Sequence, residues 1–419
     1  MPAARIAIVP ISLAALLVAT QVRATQCVNP GGTGGCHASI QAAVDAALDG
    51  ETVHVQAGTY SEFTTVGPDR RLDIEGEGPG ITVIDGGIGI DRLSHVRVLD
   101  MTIANGGVGV RIESGAFVGI DGCEVKDHYA YGIQVYGYVG ITDSVVSANQ
   151  TAVSALGAQV IMRGTTLTGN IYGLEVAYAP GRRSVIDIGA SVIENTTTGG
   201  GIMLNSARAT VFDSTIRGNG FVGVRADFRT RLTIERSTIS GNDAGMVIAT
   251  GSVKLVNSTV SGNTGGGIRV TSHGRLGVSS STVAANTAAA SGGGIFVDAG
   301  GIVYLVNTIL ADNTAPAGME CAGRLRSRGF NLIETDEPAA CEIAGSAGGN
   351  LIGVDPMLGP LAANGGPTET HALLAGSPAI DAGNPALLSG RGRACPRTDQ
   401  RFVDREPTLP CDIGAYEAP

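Results

Sequence analysis

The sequence is poor in aromatic and charged residues. Among its 419 residues there is no tryptophan, the aromatic share is 4% and the charged share is 16%. A helical bundle is rich in Glu, Lys and Leu, and a disordered chain is poor in Val, Ile and Leu, so this composition excludes both classes. Lys and Arg number 28 against 38 Asp and Glu, which argues against a nucleic-acid partner and an anionic membrane surface.

What the chain does contain is glycine, at 63 residues, together with much Asn, Ser, Thr and Val. These residues favour many short strands joined by tight turns. Helical-hairpin repeats need amphipathic runs of ten or more residues, and the middle of the chain has none. The sequence therefore indicates an all-β repeat protein.

An apolar run from Ile6 to Ala19 lies near the N terminus. Arg5 precedes the run and residues 22–24 offer small side chains for cleavage, so residues 1–24 are predicted to be a secretory signal peptide. The alternative is an uncleaved anchor, but the run is short and Pro10 interrupts it. After removal of the signal we expect no membrane span. The mature protein is expected to be bacterial and to be either secreted or periplasmic and associated with the cell envelope.

Asparagine recurs with a period near 23 residues through the middle of the chain, and an aliphatic residue lies three positions before each one. Such a period is typical of a coiling chain whose turns stack on one another. Stacked amides can hydrogen-bond from one turn to the next, so these residues are predicted to form a structural asparagine ladder. They are Asn149, Asn170, Asn195, Asn219, Asn242, Asn263, Asn286 and Asn313.

The clearest repeat runs from Val253 to Val270. Val253 and Leu255, and then Ile268 and Val270, alternate with outward residues, which is the period-2 pattern of half-buried strands. Strands this short, at about 23 residues per turn, predict a single-stranded parallel β-helix whose turns lie ~4.8 Å apart. Ala38–Leu48 is predicted to be one amphipathic helix that plugs the N-terminal end of the core, with Ile40, Val44 and Leu48 on one stripe.

The repeats resemble the right-handed parallel β-helix (pectin-lyase-like) superfamily. Residues 39–44, 50–55 and 57–60 are similar to the N-terminal cap and first coil of many such proteins. Near the C terminus, several motifs together resemble the choice-of-anchor Q domain, which implies an exported protein with a C-terminal module. These motifs are Asp355-Pro356, residues 364–368, residues 370–374, residues 376–383 and residues 411–417.

The predicted organisation has four parts. Residues 1–24 are the signal peptide and residues 25–60 the N-terminal cap and first coil. Residues 61–313 are the β-helix repeats, and residues 314–419 are a C-terminal capping module over the open end of the solenoid. Within that module His371, Asp381 and Asp412 are interpreted as hydrogen-bonding groups rather than catalysts.

Seven cysteines in an exported chain favour disulfides. Six of them bracket three local loops, and pairing within each loop is the least strained assignment. The seventh, Cys123, lies inside the repeats and is expected to be a small buried hydrophobe. The predicted disulfide residues are Cys27, Cys36, Cys321, Cys341, Cys395 and Cys411.

The resemblance implies that any chemistry would use charged residues on neighbouring coils of one outward sheet face. The Gly-φ-x-φ strands predict one such column, in which the charged members never lie on adjacent coils. Separations of about 10 Å are too long for a shared proton, so no catalytic residue, metal site or cofactor is predicted. The column is Gly109, Gln134, Ser154, Glu175, Met203, Arg225, Val247, Arg269 and Phe296.

Tyrosines cluster in one part of the chain and could stack on sugars, although the favoured interpretation is that some of these rings cover a wide coil or point into the core. The candidate ligand-binding residues are Tyr129, Tyr131, Gln134, Tyr136, Tyr138, Glu175 and Tyr178.

Together these features favour an exported, non-enzymatic β-helix protein that binds glycans, adheres to a surface or serves a structural role. A polysaccharide is then the expected partner, or another surface. The alternative is a polysaccharide-active enzyme, more readily a lyase than a hydrolase, acting on the outer face of the β-helix. Oligomeric state does not follow from the sequence.

Overall fold

The computed structural model describes residues 25–61, 63–335, 341–386, 394–406 and 409–419. The predicted signal peptide therefore lies outside the described residues. Within them the chain winds as a parallel β-solenoid, so the predicted fold class is confirmed. None of the described helices has the length and apolar character needed to cross a membrane.

Each full turn contributes one strand to each of three parallel sheets. Sheet 1 contains Glu51–Val55, Arg71–Glu75, His95–Leu99, Phe117–Asp121, Tyr138–Thr142, Gln159–Arg163, Ser184–Gly189, Ala207–Phe212, Arg231–Glu235, Ser252–Val256, Arg275–Ser279, Ile302–Val306, Cys321–Arg328 and Cys341–Ser346, with Thr25–Val28 paired to its first strand. Sheet 2 contains Gly58–Tyr60, Thr82–Asp85, Thr102–Ala104, Glu124–Lys126, Val145–Ser147, Thr166–Thr168, Val192–Glu194, Thr215–Arg217, Thr238–Ser240, Thr259–Ser261, Thr282–Ala284, Ile309–Ala311, Leu332–Ile333 and Leu351–Ile352.

Sheet 3 follows sheet 2 in every turn. Its strands are Phe63–Val66, Gly87–Ile90, Val108–Ile112, Tyr131–Val135, Thr151–Leu156, Tyr172–Ala177, Ile202–Leu204, Val222–Ala226, Ala244–Ile248, Ile268–Val270 and Ile295–Val297. The long strand Cys321–Arg328 pairs with the last strands of both sheet 3 and sheet 1. A separate antiparallel pair is formed by Leu358–Ala362 and Thr370–Leu373.

The apolar core runs along the solenoid axis. In the repeat used for the prediction, Val253, Leu255, Ile268 and Val270 all point inward and at most 2% of each is exposed. Their alternation with exposed Lys254 and Arg269 is the pattern of strands that bury one face. Because every turn stacks its inward residues on those of the previous turn, the core is continuous.

A single described helix, Ile40–Ala46, closes the N-terminal end of the core, as predicted. The Ser39 hydroxyl accepts a hydrogen bond from Ala42 N, so Ser39 is the N-cap. Ile40 and Val44 are buried as expected, but Leu48 is 70% exposed. The prediction for Leu48 was wrong because the helix ends two residues earlier than the apolar stripe suggested and the backbone at Ala47 is extended.

The cysteines pair within their own loops, as Cys27–Cys36, Cys321–Cys341 and Cys395–Cys411. Cys123 is free and buried. Burial raises the pKa of its thiol to about 12, so the reactive thiolate is not formed at neutral pH.

The C-terminal region differs from the predicted arrangement in two ways. Parallel pairing continues past residue 313 to Ile352, so the first part of the predicted module is solenoid. The described residues 355–386, 394–406 and 409–419, here named the lateral segment, fold back against the outer face of sheet 2. The strands Thr238–Ser240 and Thr259–Ser261 are consequently buried on both faces.

Hydrogen bonds and an apolar cluster hold the lateral segment in place. Ser261 and His371 Nε2 lie 2.8 Å apart, and the other ring nitrogen lies 2.7 Å from Gly359 O. Ile413 packs with Ile309 in a second, smaller core. The outward residues of these sheet 2 strands are hydroxyl-bearing or apolar rather than charged, which is why a second layer can cover them.

Candidate functional site

The asparagine ladder occupies the corner between sheets 2 and 3. Asn219 Nδ2 donates to Asn242 Oδ1 at 2.8 Å, and the same contact joins Asn242 to Asn263 at 3.0 Å. Asn263 and Asn286 continue it at 2.8 and 2.9 Å towards Asn313. Each Oδ1 also accepts the backbone N–H of the asparagine one turn earlier, so the side chains satisfy buried backbone groups.

Asn195 does not belong to the ladder. It is exposed with φ at 55°, and the neighbouring Thr196 takes the interior position, where its backbone N donates to Asn219 Oδ1. The prediction was wrong by one residue because asparagine tolerates the left-handed backbone region that Gly218 occupies one turn later.

Two residues at the ends of the ladder were not predicted. His128 donates its backbone N–H to Asn149 Oδ1 at 3.0 Å, while its ring nitrogens lie 3.0 Å from Gly106 N and 3.1 Å from Ile103 O. Nδ1 therefore accepts and Nε2 donates, which describes a neutral imidazole whose pKa burial lowers. At the other end Asn313 Nδ2 donates to the buried Glu320 carboxylate at 2.6 Å.

The corner between sheets 1 and 2 carries a second row, which sequence reasoning missed. Here a hydroxyl accepts the backbone N–H of the residue one turn earlier: Ser214 N donates to Ser237 Oγ, and Ser237 N to Ser258 Oγ, both at 3.2 Å. A signal for it exists in the sequence, because four of its five serines directly precede the Thr-φ pair of a sheet 2 strand, whereas Ser191 precedes Val192-Ile193. This hydroxyl row contains Ser191, Ser214, Ser237, Ser258 and Ser281.

The predicted tyrosine cluster does not form one site. Tyr129 lies at the corner of sheets 2 and 3 and is 81% exposed, whereas Tyr131 lies on sheet 3 and Tyr138 on sheet 1. Tyr136 lies in the turn between those two strands. Tyr178 lies two coils further along the chain, in the longer turn between Tyr172–Ala177 and Ser184–Gly189. Its ring is 5.8 Å from that of Phe228 in an edge-on contact. Adjacent positions in the sequence are thus distributed around the solenoid.

The polar members of that prediction lie on sheet 3 without touching. Gln134 pairs in register with Ser154, and Ser154 with Glu175. Two strand spacings, about 10 Å, therefore separate Gln134 from Glu175. The first member of the predicted column was wrong: Arg111 is in register with Gln134, whereas a side chain at Gly109 would meet His128 and Val125 inside the solenoid.

The outward face of sheet 1 carries an aromatic column at its N-terminal end. The rings of His95 and Phe117 stack 4.9 Å apart with an interplanar angle of 8°, and Phe117 lies 5.7 Å from Tyr138. Gly119 and Gly140 occupy the neighbouring outward positions, so no side chain from these two strands covers the sheet surface there. Only Tyr138 was predicted, because the partner rings come from the two preceding turns, with Phe117 about 20 and His95 about 40 residues earlier in the chain.

Further along the same face lies a group of four cations, here named the cationic strip: Arg208, Arg231, Lys254 and Arg275. All four are exposed and lie on four successive strands of sheet 1. Arg208 is in register with Arg231. Among the described residues none of the four has an ion-pair partner. By contrast Arg163 pairs with Asp187 at 2.9 Å on the same face. From Arg208 to Arg275 the strip spans three strand spacings, about 14 Å.

Three carboxylates on the same face, those of Asp121, Asp187 and Glu235, are already engaged in contacts. Asp121 accepts a hydrogen bond from Thr142 Oγ1 at 2.8 Å, and Glu235 pairs with Arg236. Asp187 pairs with Arg163 through Oδ2, while its buried Oδ1 has no hydrogen-bond partner. Among the described residues no three His, Cys, Asp or Glu side chains converge in a metal-ligating group. The arrangement is suited to electrostatic binding of an extended anion.

This architecture defines the molecule as a right-handed parallel β-helix. The family model described as "Right handed beta helix region" matches residues 137–283. No curated protein matches the chain.

Three solved structures illustrate the fold. XylC in complex with xylose is 9% identical over 94% of this chain and 98% of that chain, with a TM-score of 0.53. The periplasmic alginate epimerase AlgG is 13% identical over 71% of this chain and 77% of that chain, with a TM-score of 0.48. The Azotobacter vinelandii mannuronan C-5 epimerase AlgE4 A-module is 17% identical over 74% and 95%, with a TM-score of 0.44. At these identities the similarity concerns the fold.

Proposed function

We propose that the protein is an exported, non-catalytic β-helix that binds an acidic polysaccharide along the cationic strip. The observation that carries this proposal is the set of four unpaired, exposed cations on adjacent turns of sheet 1, in a chain whose formal net charge is −10. An acidic chain that concentrates cations on one straight face attracts an anionic polymer there and repels it elsewhere.

The shape of the site supports a linear partner. Sheet 1 extends along the solenoid axis, and Arg208, Arg231 and Arg275 lie in one register column in which Ser252 takes the third place. A polymer lying parallel to the axis therefore meets three cations in line, with Lys254 in the neighbouring outward column. The aromatic column adds apolar edges for sugar rings at the N-terminal end of the same face. Export rests on the predicted signal peptide, and attachment to the envelope through a choice-of-anchor Q module is part of the proposal.

The proposal is tested by binding of polygalacturonate to the mature protein, with a neutral glucan for comparison. We expect the Arg208→Gln/Arg231→Gln variant to bind polygalacturonate about tenfold more weakly, because two exposed charges are lost. The matched control is Arg217→Gln, which removes an arginine that is paired with Glu194 on sheet 2. Equal affinities for wild type and the double variant, or equal binding of the neutral glucan, would disprove the proposal.

The alternative enzymatic function is examined with the same samples. A lyase produces an unsaturated sugar whose absorbance can be followed with and without calcium. The buried Asp187 Oδ1 without a partner is the feature that favours this alternative, since such a group could accept a proton from a bound sugar. Turnover abolished by Asp187→Asn would replace binding with catalysis as the function.

A further inference from the structure

The last turns of sheet 1 contain a cleft that is separate from the cationic strip. Its volume is about 510 Å³, and it is lined by Tyr304, Arg324, Arg326, Ser327, Arg328 and Ser346. Arg326 follows Tyr304 in register on the neighbouring strand, and Arg324 and Arg328 flank it at the alternate outward positions. Three guanidinium groups therefore project from one strand.

The tyrosine ring fixes two of these guanidinium groups. The Arg328 guanidinium carbon lies 4.3 Å from the centroid of the Tyr304 ring, and that of Arg326 lies 5.6 Å from it. Arg326 also donates to the Tyr304 hydroxyl at 3.2 Å. Stacking on an aromatic face restrains a guanidinium group while leaving its N–H edge free for a ligand.

The charge of the cleft is only partly balanced. Arg324 pairs with Glu342 at 3.2 Å, but among the described residues Arg326 and Arg328 have no carboxylate partner. Two positive charges with several free N–H donors thus remain beside the Ser346 hydroxyl. A carboxylate would balance one of these two charges. A phosphate or sulfate group matches the two guanidinium groups better, either through its charge or through its larger number of acceptor oxygens.

We propose that this cleft binds a tetrahedral oxyanion, that is, a phosphate or sulfate group. Arg326 and Arg328 donate to its oxygens, and Tyr304 positions them. The inference is independent of the proposed function, because Arg326 and Arg328 lie beyond the cationic strip, two strands further than Arg275.

The test is calorimetric titration of the mature protein with inorganic phosphate, inorganic sulfate and acetate at low ionic strength. We expect phosphate or sulfate to bind and Arg328→Gln or Arg326→Gln to weaken that binding at least tenfold. Tyr304→Leu, which keeps both cations but removes the ring, should weaken it about three- to tenfold. Circular dichroism establishes that each variant is folded.

The matched control is Arg217→Gln, which removes an exposed arginine that is paired with Glu194 on sheet 2 and should leave phosphate affinity unchanged. Absence of phosphate and sulfate binding by the wild type would overturn the proposal, as would an equal loss in Arg217→Gln. Acetate binding as tightly as phosphate would also overturn it. The proposed function is read from polygalacturonate binding by the Arg208→Gln/Arg231→Gln variant, and this proposal from phosphate or sulfate binding by Arg326→Gln and Arg328→Gln, so failure here and failure of the proposed function are distinguishable.

Discussion

Glu320 is an acidic side chain in an almost fully buried position, with 2% of its surface exposed. Burial, together with the charges of Glu334 and Asp312, raises the pKa of its carboxyl group to about 7, although the hydrogen bond from Asn313 opposes this shift. The carboxyl oxygen is the acceptor that ends the asparagine ladder. The Glu320 carboxyl group therefore stays in a buried position that disfavours its charged form, because the side-chain amide of Asn313 needs a hydrogen-bond acceptor there.

This position predicts a pH dependence of stability. The pKa in the folded state lies above that of an unfolded glutamic acid, so the folded state binds the proton more tightly. The stabilisation is fully present below about pH 4.5 and is lost as the pH rises through about 7. Glu320→Gln keeps an acceptor for Asn313 but does not titrate. Its urea unfolding midpoint should therefore decline less between pH 5 and pH 8 than that of the wild type.

The matched control for Glu320 is Glu342→Gln, because Glu342 is exposed on sheet 1. This variant should retain the pH dependence of the wild type. Parallel stability curves for wild type and Glu320→Gln would show that Glu320 does not titrate in this window.

At the scale of a repeat element, the middle turns of the solenoid are fixed at two corners by side chains that replace missing backbone partners. Asn242 is fully buried and makes contacts in both directions: its Nδ2 donates to Ile216 O at 3.2 Å and to Asn263, and its Oδ1 accepts from Asn219. An interior turn needs such a residue because water cannot reach its N–H groups.

Asn242→Leu removes these contacts and leaves the buried N–H of Asn219 without an acceptor. We expect a loss of ~1–3 kcal/mol in the free energy of unfolding. The control is Asn195→Gly, since Asn195 is exposed at a positive φ that glycine adopts freely, and it should change stability by less than ~0.5 kcal/mol. Equal melting temperatures for Asn242→Leu and wild type would refute the role of the ladder.

These elements show what the sequence can and cannot specify. The period of the asparagines, the alternation of apolar and outward residues and the Ser-Gly-Asn motifs predicted the coils of the solenoid and most of the asparagine ladder. These features depend on local backbone chemistry. The register failed by one or two residues at Asn195 and Gly109, where the turn length varies. The site on sheet 1 was missed because its members, such as Phe117 and Arg231, meet only through parallel pairing between turns.

At the scale of the whole molecule, the lateral segment turns one side of the solenoid into an interior layer. Gln400 is fully buried between the two layers. Its Nε2 donates to Thr238 Oγ1 at 3.0 Å and Thr368 Oγ1 at 2.9 Å, and its Oε1 accepts from Thr259 Oγ1 at 2.7 Å. The outward threonines of sheet 2 thus act as docking points spaced by one turn.

Gln400→Ala should loosen this layer without unfolding the solenoid. The change leaves the hydroxyls of Thr238 and Thr259 short of a buried partner, which costs about 2 kcal/mol and raises the detached fraction roughly thirtyfold. Limited proteolysis should therefore cleave the lateral segment faster, while residues 25–352 retain their β-sheet circular dichroism, because the solenoid core is complete without the segment. Gln159→Ala, on the exposed face of sheet 1, is the control and should be cleaved like the wild type. Loss of the solenoid signal together with the segment would instead show that the two layers fold as one cooperative unit.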